Sequence, residues 1–236
     1  MTADPFARVA ELSGVGTAAA HARDAIDALL RHPAMRRQAG PVAAESAIRG
    51  ARASAELAGA SADMSDPVLQ GALRAIGEVP ALAAVWGRAP GQALARLHLL
   101  AGKDLADEDV LGRPRPAADH KRLDQLLHLV VAPTAAPAVV VAALVHGELL
   151  VLRPFGVADG VTARAAERVV LVARGVDTKA AGVPEVGHRA LARAYEPLLE
   201  AYRTGAADGV AAWVRHCCDA YARGAEEGIA ICRDLQ

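Results

Sequence analysis

Apolar residues recur at helical spacing along most of the 236-residue chain, and prolines, glycines and capping acids punctuate the pattern. Asp4 caps a first short helix. Thr17 to Arg31 carries Ile26, Leu29 and Leu30 on one stripe, and His32-Pro33 stops it. Pro41 to Ala60 is entered by a proline in its first turn, where the missing N–H costs nothing. Ser65-Asp66-Pro67 opens a helix running through Ile76, and Pro90 to Ala101 carries Leu94, Leu97 and Leu100. Past a Gly/Pro-rich loop at Gly112-Arg113-Pro114-Arg115-Pro116, helices are predicted over Asp119 to Val131, Pro137 to Leu152, Val161 to Arg174, Val186 to Tyr202 and Asp208 to Asp234.

Strand signals are nearly missing. Val139-Val140-Val141 and Val169-Val170-Leu171-Val172 are β-branched, but each sits in a longer run without period-two alternation, so both read as buried helix. The expected architecture is all-α, with an N-terminal helical lobe over residues 1–85 against a core over residues 86–236.

Composition sharpens this picture. Apolar residues are 53% of the chain but aromatics only 3%, so the core must be Ala, Leu and Val, which suits close helix–helix packing. Formal net charge is −1 with the signs interspersed, which argues against nucleic acid or membrane as a partner. Cys217, Cys218 and Cys232 are odd in number, two of them adjacent, which is neither a disulfide framework nor a metal-ligand spacing. The start, Met1-Thr2-Ala3-Asp4-Pro5, lacks a leader pattern, and the most apolar run, Pro137 to Leu152, is shorter than a bilayer span. A cytoplasmic protein is expected.

The chemistry concentrates between two of the helices, in Arg153-Pro154-Phe155-Gly156-Val157-Ala158-Asp159-Gly160-Val161-Thr162-Ala163-Arg164. This stretch resembles the signature loop of the Fic (Fido) family, His-x-Phe-x-(Asp/Glu)-Gly-Asn-Gly-Arg-x-x-Arg. Without gaps it keeps Pro154, Phe155, Gly160 and Arg164. It places Arg153 at the catalytic His, Val157 at the metal-binding acid, Asp159 at the Asn and Val161 at the first Arg. The resemblance extends from about Pro90 to Trp213. Leu97-His98 and Gly112-x-x-Arg115 look like segments that precede the motif, and Tyr195, Tyr202 and Trp213 look like the helices that follow it. Ser54-Ala55-Glu56-Leu57-Ala58-Gly59 resembles the inhibitory-helix motif, with Ala58 where a Glu would pair with the last Arg. A competing register, Glu45 to Gly50, puts Arg49 at that place. The β-hairpin flap that aligns targets in such domains is reduced or absent, since Arg115-Pro116-Ala117-Ala118 runs almost directly into the next helix.

The resemblance implies AMP transfer from Mg-ATP to a hydroxyl, yet the residues needed for it are missing. Arg153 cannot act as a base because guanidinium stays protonated, and Val157 offers no oxygen to Mg²⁺. What remains is a helix start at Gly160, flanked by Arg153 and Arg164, that suits an anion. Asp159 either caps that helix itself or takes part in ligand binding. The expected protein is therefore a degenerate Fic-like one. It would bind a phosphate-bearing small molecule or a protein partner without cofactor. The alternative is an active transferase, or another enzyme on a nucleotide or phosphorylated substrate, with Mg-ATP only in that case. A helical interaction module, as a homodimer, is the third reading. Elsewhere His98 and His146 read as core histidines satisfied by carbonyls, Glu167 and Arg168 as a solvated or ion-paired face, and His188 as a residue without a partner for a triad.

Overall fold

The computed structural model describes residues 4–61 and 63–236. Residues 1–3, read above for a leader pattern, lie outside the described residues. Twelve α-helices and no strand are found among them. Prolines and acids set most of the starts. Asp4 accepts a hydrogen bond from the Ala7 amide to open α1 (Pro5–Ala10), and Asp66 accepts from Val68 and Leu69 to open α4 (Pro67–Gly77). α2 (Val15–Arg31) stops at His32-Pro33 as predicted, and a short 3₁₀ turn, Pro33–Arg36, follows it.

α3 (Ala39–Leu57) begins earlier than Pro41 and ends before Ala60. Its end is set by Gly59, left-handed at φ 75°, whose N–H bonds the Glu56 carbonyl while Ala60 bonds Ala55. That pair of bonds is the usual glycine-terminated helix end, so the chain leaves the helix two residues before the glycine. α5 (Val79–Trp86) was not foreseen, and the single helix expected over Val186 to Tyr202 is two, α10 (Pro184–Ala190) and α11 (Ala192–Arg203), broken at Leu191. The rest follow the expectation closely: α6 (Pro90–Gly102), α7 (His120–Val131), α8 (Ala138–Leu152), α9 (Asp159–Ala173) and α12 (Ala207–Asp234).

Both valine runs are buried helix. α8 is apolar all round and lies at the centre, packed on α9, and α9 contacts α4, α5 and α6 as well. α2 lies along α12, while α3 packs on α4 and α10. One apolar core runs from Phe6 to Cys232 and crosses the 85/86 boundary, so the N-terminal helices share it with the rest. All three cysteines are buried thiols. Among the described residues no single helix is long and apolar enough to cross a membrane.

Candidate functional site

The link between α8 and α9 is a tightly folded loop. Arg153 ends α8 in the left-handed region (φ 44°), Gly156 follows at 85° and Ala158 at 51°. Ala158 occupies the place of the first glycine in the signature pattern, and a side chain there costs about 1–2 kcal/mol of backbone strain. Hydrogen bonds hold the shape. Both Asp159 oxygens accept from the loop, one from the Phe155 amide (3.0 Å) and the other from Gly156 (2.8 Å). Arg115 clamps the other side, its amide donating to the Pro154 carbonyl (2.8 Å) and its Nε to that of Arg153 (3.0 Å).

This corrects the expectation that Asp159 caps the helix. Asp159 is the first residue of α9, which starts after Ala158 with no side-chain cap. The left-handed Ala158 turns the chain so that the carboxylate meets the amides before it. The first amides of α9 are thereby spared.

Phe155 points into the core, 9% exposed, and stacks flat on His98 with ring centroids 3.9 Å apart. His98 is held from two sides: its Nδ1 accepts the Gly112 amide (2.9 Å), and its Nε2 faces the Val157 carbonyl, the kind of partner expected, without a well-formed hydrogen bond. The family-like segments, distant in sequence, thus meet at the loop. Burial pushes His98 down to about 4. Because the folded value lies below that of the unfolded chain (about 6.5), stability from a neutral His98 is present above that value and is lost as pH falls toward 4. The loss should reach at most about 1.4 kcal/mol per pH unit for this one proton. Urea unfolding at pH 7, 6, 5 and 4 should show a shallower acid limb in His98→Gln, which can still accept from Gly112 but does not titrate. Superimposable limbs would refute the assignment.

Arg164 is buried, 2% exposed, and its fork is occupied. Nε donates to Ser54 Oγ (2.9 Å) and Nη2 to the Ser54 carbonyl (2.8 Å), so a cation sits on the C-terminal turn of α3, where the negative end of the helix dipole favours it. The inhibitory-motif-like segment therefore does lie against Arg164, held by Ser54 and not by a carboxylate. Ala58 and Gly59 end that helix, and Ala58 lines the cleft beside the loop. The competing register points elsewhere. Arg49 bonds Glu45 and the far end of α12 at Glu227 and Asp234, and Gly50 packs on Arg168 and Glu185.

The cleft has a volume of about 450 Å³ and is bounded by Ala58, Arg153, Asp159, Gly160, Arg164 and Tyr195, among others. Arg153 extends at its mouth, 63% exposed, with Nε 3.9 Å from Asp159. Val161 is buried, and Val157 is apolar where a metal-binding acid would stand. With both Asp159 oxygens committed to amides, these residues do not fit a Mg²⁺ ion bound across phosphates. A larger, open depression of about 780 Å³ over Lys121, Asp124 and His128 on α7 holds no comparable convergence of groups.

Beneath the loop lies a polar cluster that the sequence did not reveal. Glu167, expected on a solvated or ion-paired face, is fully buried, as are His146 and His188. Its carboxylate is 2.9 Å from His146 Nδ1 and 3.1 Å from His188 Nε2, and Tyr221 donates to it at 2.6 Å. Arg168 is buried too, paired with Glu185. His188, read as partnerless, has Glu167 and His216 as neighbours. His146 likewise bonds Tyr195 (2.7 Å) and no carbonyl. Burial disfavours charge on Glu167, but the two imidazoles outweigh it and hold the carboxyl below its ordinary range.

No protein-family model and no curated protein matches the sequence. Solved structures do. A Fic family protein from Desulfovibrio desulfuricans G20 superimposes over 100% of this chain and 77% of its own, with TM-score 0.75 and 19% identity. Fic-1 from C. elegans does so over 94% of this chain and 74% of its own, with TM-score 0.72 and 14% identity. With nearly the whole chain superimposed on both, the fold of this protein is the Fic fold.

Proposed function

We propose that this Fic-fold protein holds a phosphate-bearing ligand at the loop between α8 and α9 and does not transfer AMP from it. One observation carries the reading: Arg153 stands where the family places its base, extended at the mouth of the cleft. A guanidinium cannot take a proton from an attacking hydroxyl, and losing a general base costs about 10²–10⁴-fold in rate. The same side chain is well suited to an anionic ligand, since its fork matches phosphate oxygens. Sparing the first amides of α9, as Asp159 does, leaves the positive end of that helix available to the same ligand.

Two measurements test this. Full-length protein with labelled ATP and Mg²⁺ or Mn²⁺ should modify neither itself nor lysate proteins above background; robust incorporation that Arg153→Ala abolishes would overturn the reading. Calorimetric titration with AMP and with inorganic pyrophosphate should detect binding that weakens at least about fivefold in Ala58→Glu, the equivalent of ~1 kcal/mol. The new carboxylate faces the cleft beside Arg164 and repels an anion. Equal affinity in a folded Ala58→Glu protein would place the ligand elsewhere.

A further inference from the structure

We propose that His146, Glu167, His188 and Cys217 form a binding site for one zinc ion in the core of the helix bundle, separate from the loop and its cleft. The four come from four different helices, α8, α9, α10 and α12, and all are fully buried. One donor atom from each lies within 4.8 Å of every other. In a tetrahedral zinc site with bonds of about 2.0–2.3 Å, donors sit about 3.3–3.7 Å apart. The carboxylate–imidazole separations, 2.9 and 3.1 Å, fall just under that range. Shifts of about 1 Å or less in side chains would complete the tetrahedron.

Hydrogen bonding separates such a site from a plain buried network. His146 Nδ1 lies 2.9 Å from Glu167 without forming a well-shaped hydrogen bond to it, so this fully buried nitrogen faces the carboxylate and the space between the four side chains. The outward atoms, in contrast, are supplied. His146 Nε2 meets the Tyr195 hydroxyl (2.7 Å), His188 Nδ1 meets His216 Nε2 (3.4 Å), and Tyr221 donates to Glu167. Ligand imidazoles characteristically donate their other N–H to a fixed partner, and both rings can do so here with the inward nitrogen left to a metal. Charge agrees as well. A carboxylate and a thiolate together carry two negative charges, which a divalent ion cancels where burial would otherwise penalise them. Two imidazoles, a thiolate and a carboxylate suit zinc, and four protein ligands make a closed, structural site. Sites of this kind in bundles are built from facing helices.

The test uses full-length protein expressed in minimal medium supplemented with zinc or with cobalt. Elemental analysis should find about one equivalent of metal per chain. The cobalt form should show the visible bands of a tetrahedral site together with a near-ultraviolet thiolate charge-transfer band. Cys217→Ser should lose that band, whereas Cys218→Ser, at the neighbouring buried thiol, should keep it. Less than about a tenth of an equivalent in folded wild-type protein from both media would overturn the site in favour of a metal-free hydrogen-bond network. So would a spectrum unchanged in Cys217→Ser. If Cys217→Ser does not fold, the wild-type stoichiometry and charge-transfer band decide alone.

Discussion

Replacing Glu185 by Ala should cost about 3–5 kcal/mol of stability, the largest single effect expected in this molecule. Arg168 and Glu185 are 1% and 0% exposed and pair at 3.2 Å. The guanidinium also donates to the Ala180 carbonyl (2.8 Å) and to Ser46 Oγ, which in turn donates a hydrogen bond to the Gly182 carbonyl. Gly50 lets α3 come against both charges, since a Cβ there would sit 2.8 Å from each. Even with Glu185 in place, Arg168 Nε finds no hydrogen-bond partner, so nothing nearby stands ready to accept from an orphaned cation. Urea denaturation of Glu185→Ala measures the loss. The double variant Arg168→Met/Glu185→Leu removes both charges and should lose far less, because the penalty comes from leaving one charge without the other. A loss under about 1 kcal/mol in Glu185→Ala would mean that water reaches Arg168 and the pair is not a sealed one.

Gly187→Ala is the second large effect. At the crossing of α10 and α12, a Cβ on Gly187 would land on the Ala220 carbonyl, and one on Gly224 would sit 2.6 Å from the Val183 carbonyl carbon. Backbone, unlike the tip of a side chain, cannot swing aside, so overpacking here should cost about 3 kcal/mol or more. Gly40 in α3 has nothing within 4 Å of its Cβ position, and Gly40→Ala should be neutral or stabilising by about 0.5–1 kcal/mol. Thermal unfolding of the two alanine variants side by side checks the contrast. If both shift the midpoint alike, the close approach of α10 to α12 does not exist in solution.

Most helices were legible because their apolar stripes run longer than any strand and end on prolines or capping acids. α5 was missed because it is short and Pro80 sits inside its first turn, where the proline reads as a break and in fact opens a helix. α10 and α11 were merged because the apolar period continues through Leu191, and no proline or glycine marks the break there. The loop was readable from Pro154, Phe155, Gly160 and Arg164, which lie close together in sequence. The buried cluster was not, because His146, Glu167, His188 and Cys217 are each about 20 or more positions from the next and share no helical spacing. Glu167 looks solvated on its own helix, and only the three partners that other helices bring to it account for a carboxylate in the core.

The hold of Ser54 on Arg164 has a consequence for how tightly anything can bind the loop. A ligand that needs the Arg164 fork must first take it from the end of α3, breaking two hydrogen bonds. Its apparent affinity then equals its intrinsic affinity multiplied by the small fraction of molecules in which α3 has already let go. Conversely, each ligand captured in that way pulls the end of α3 off α9, so occupancy of the cleft is reported at the surface by the position of that helix end.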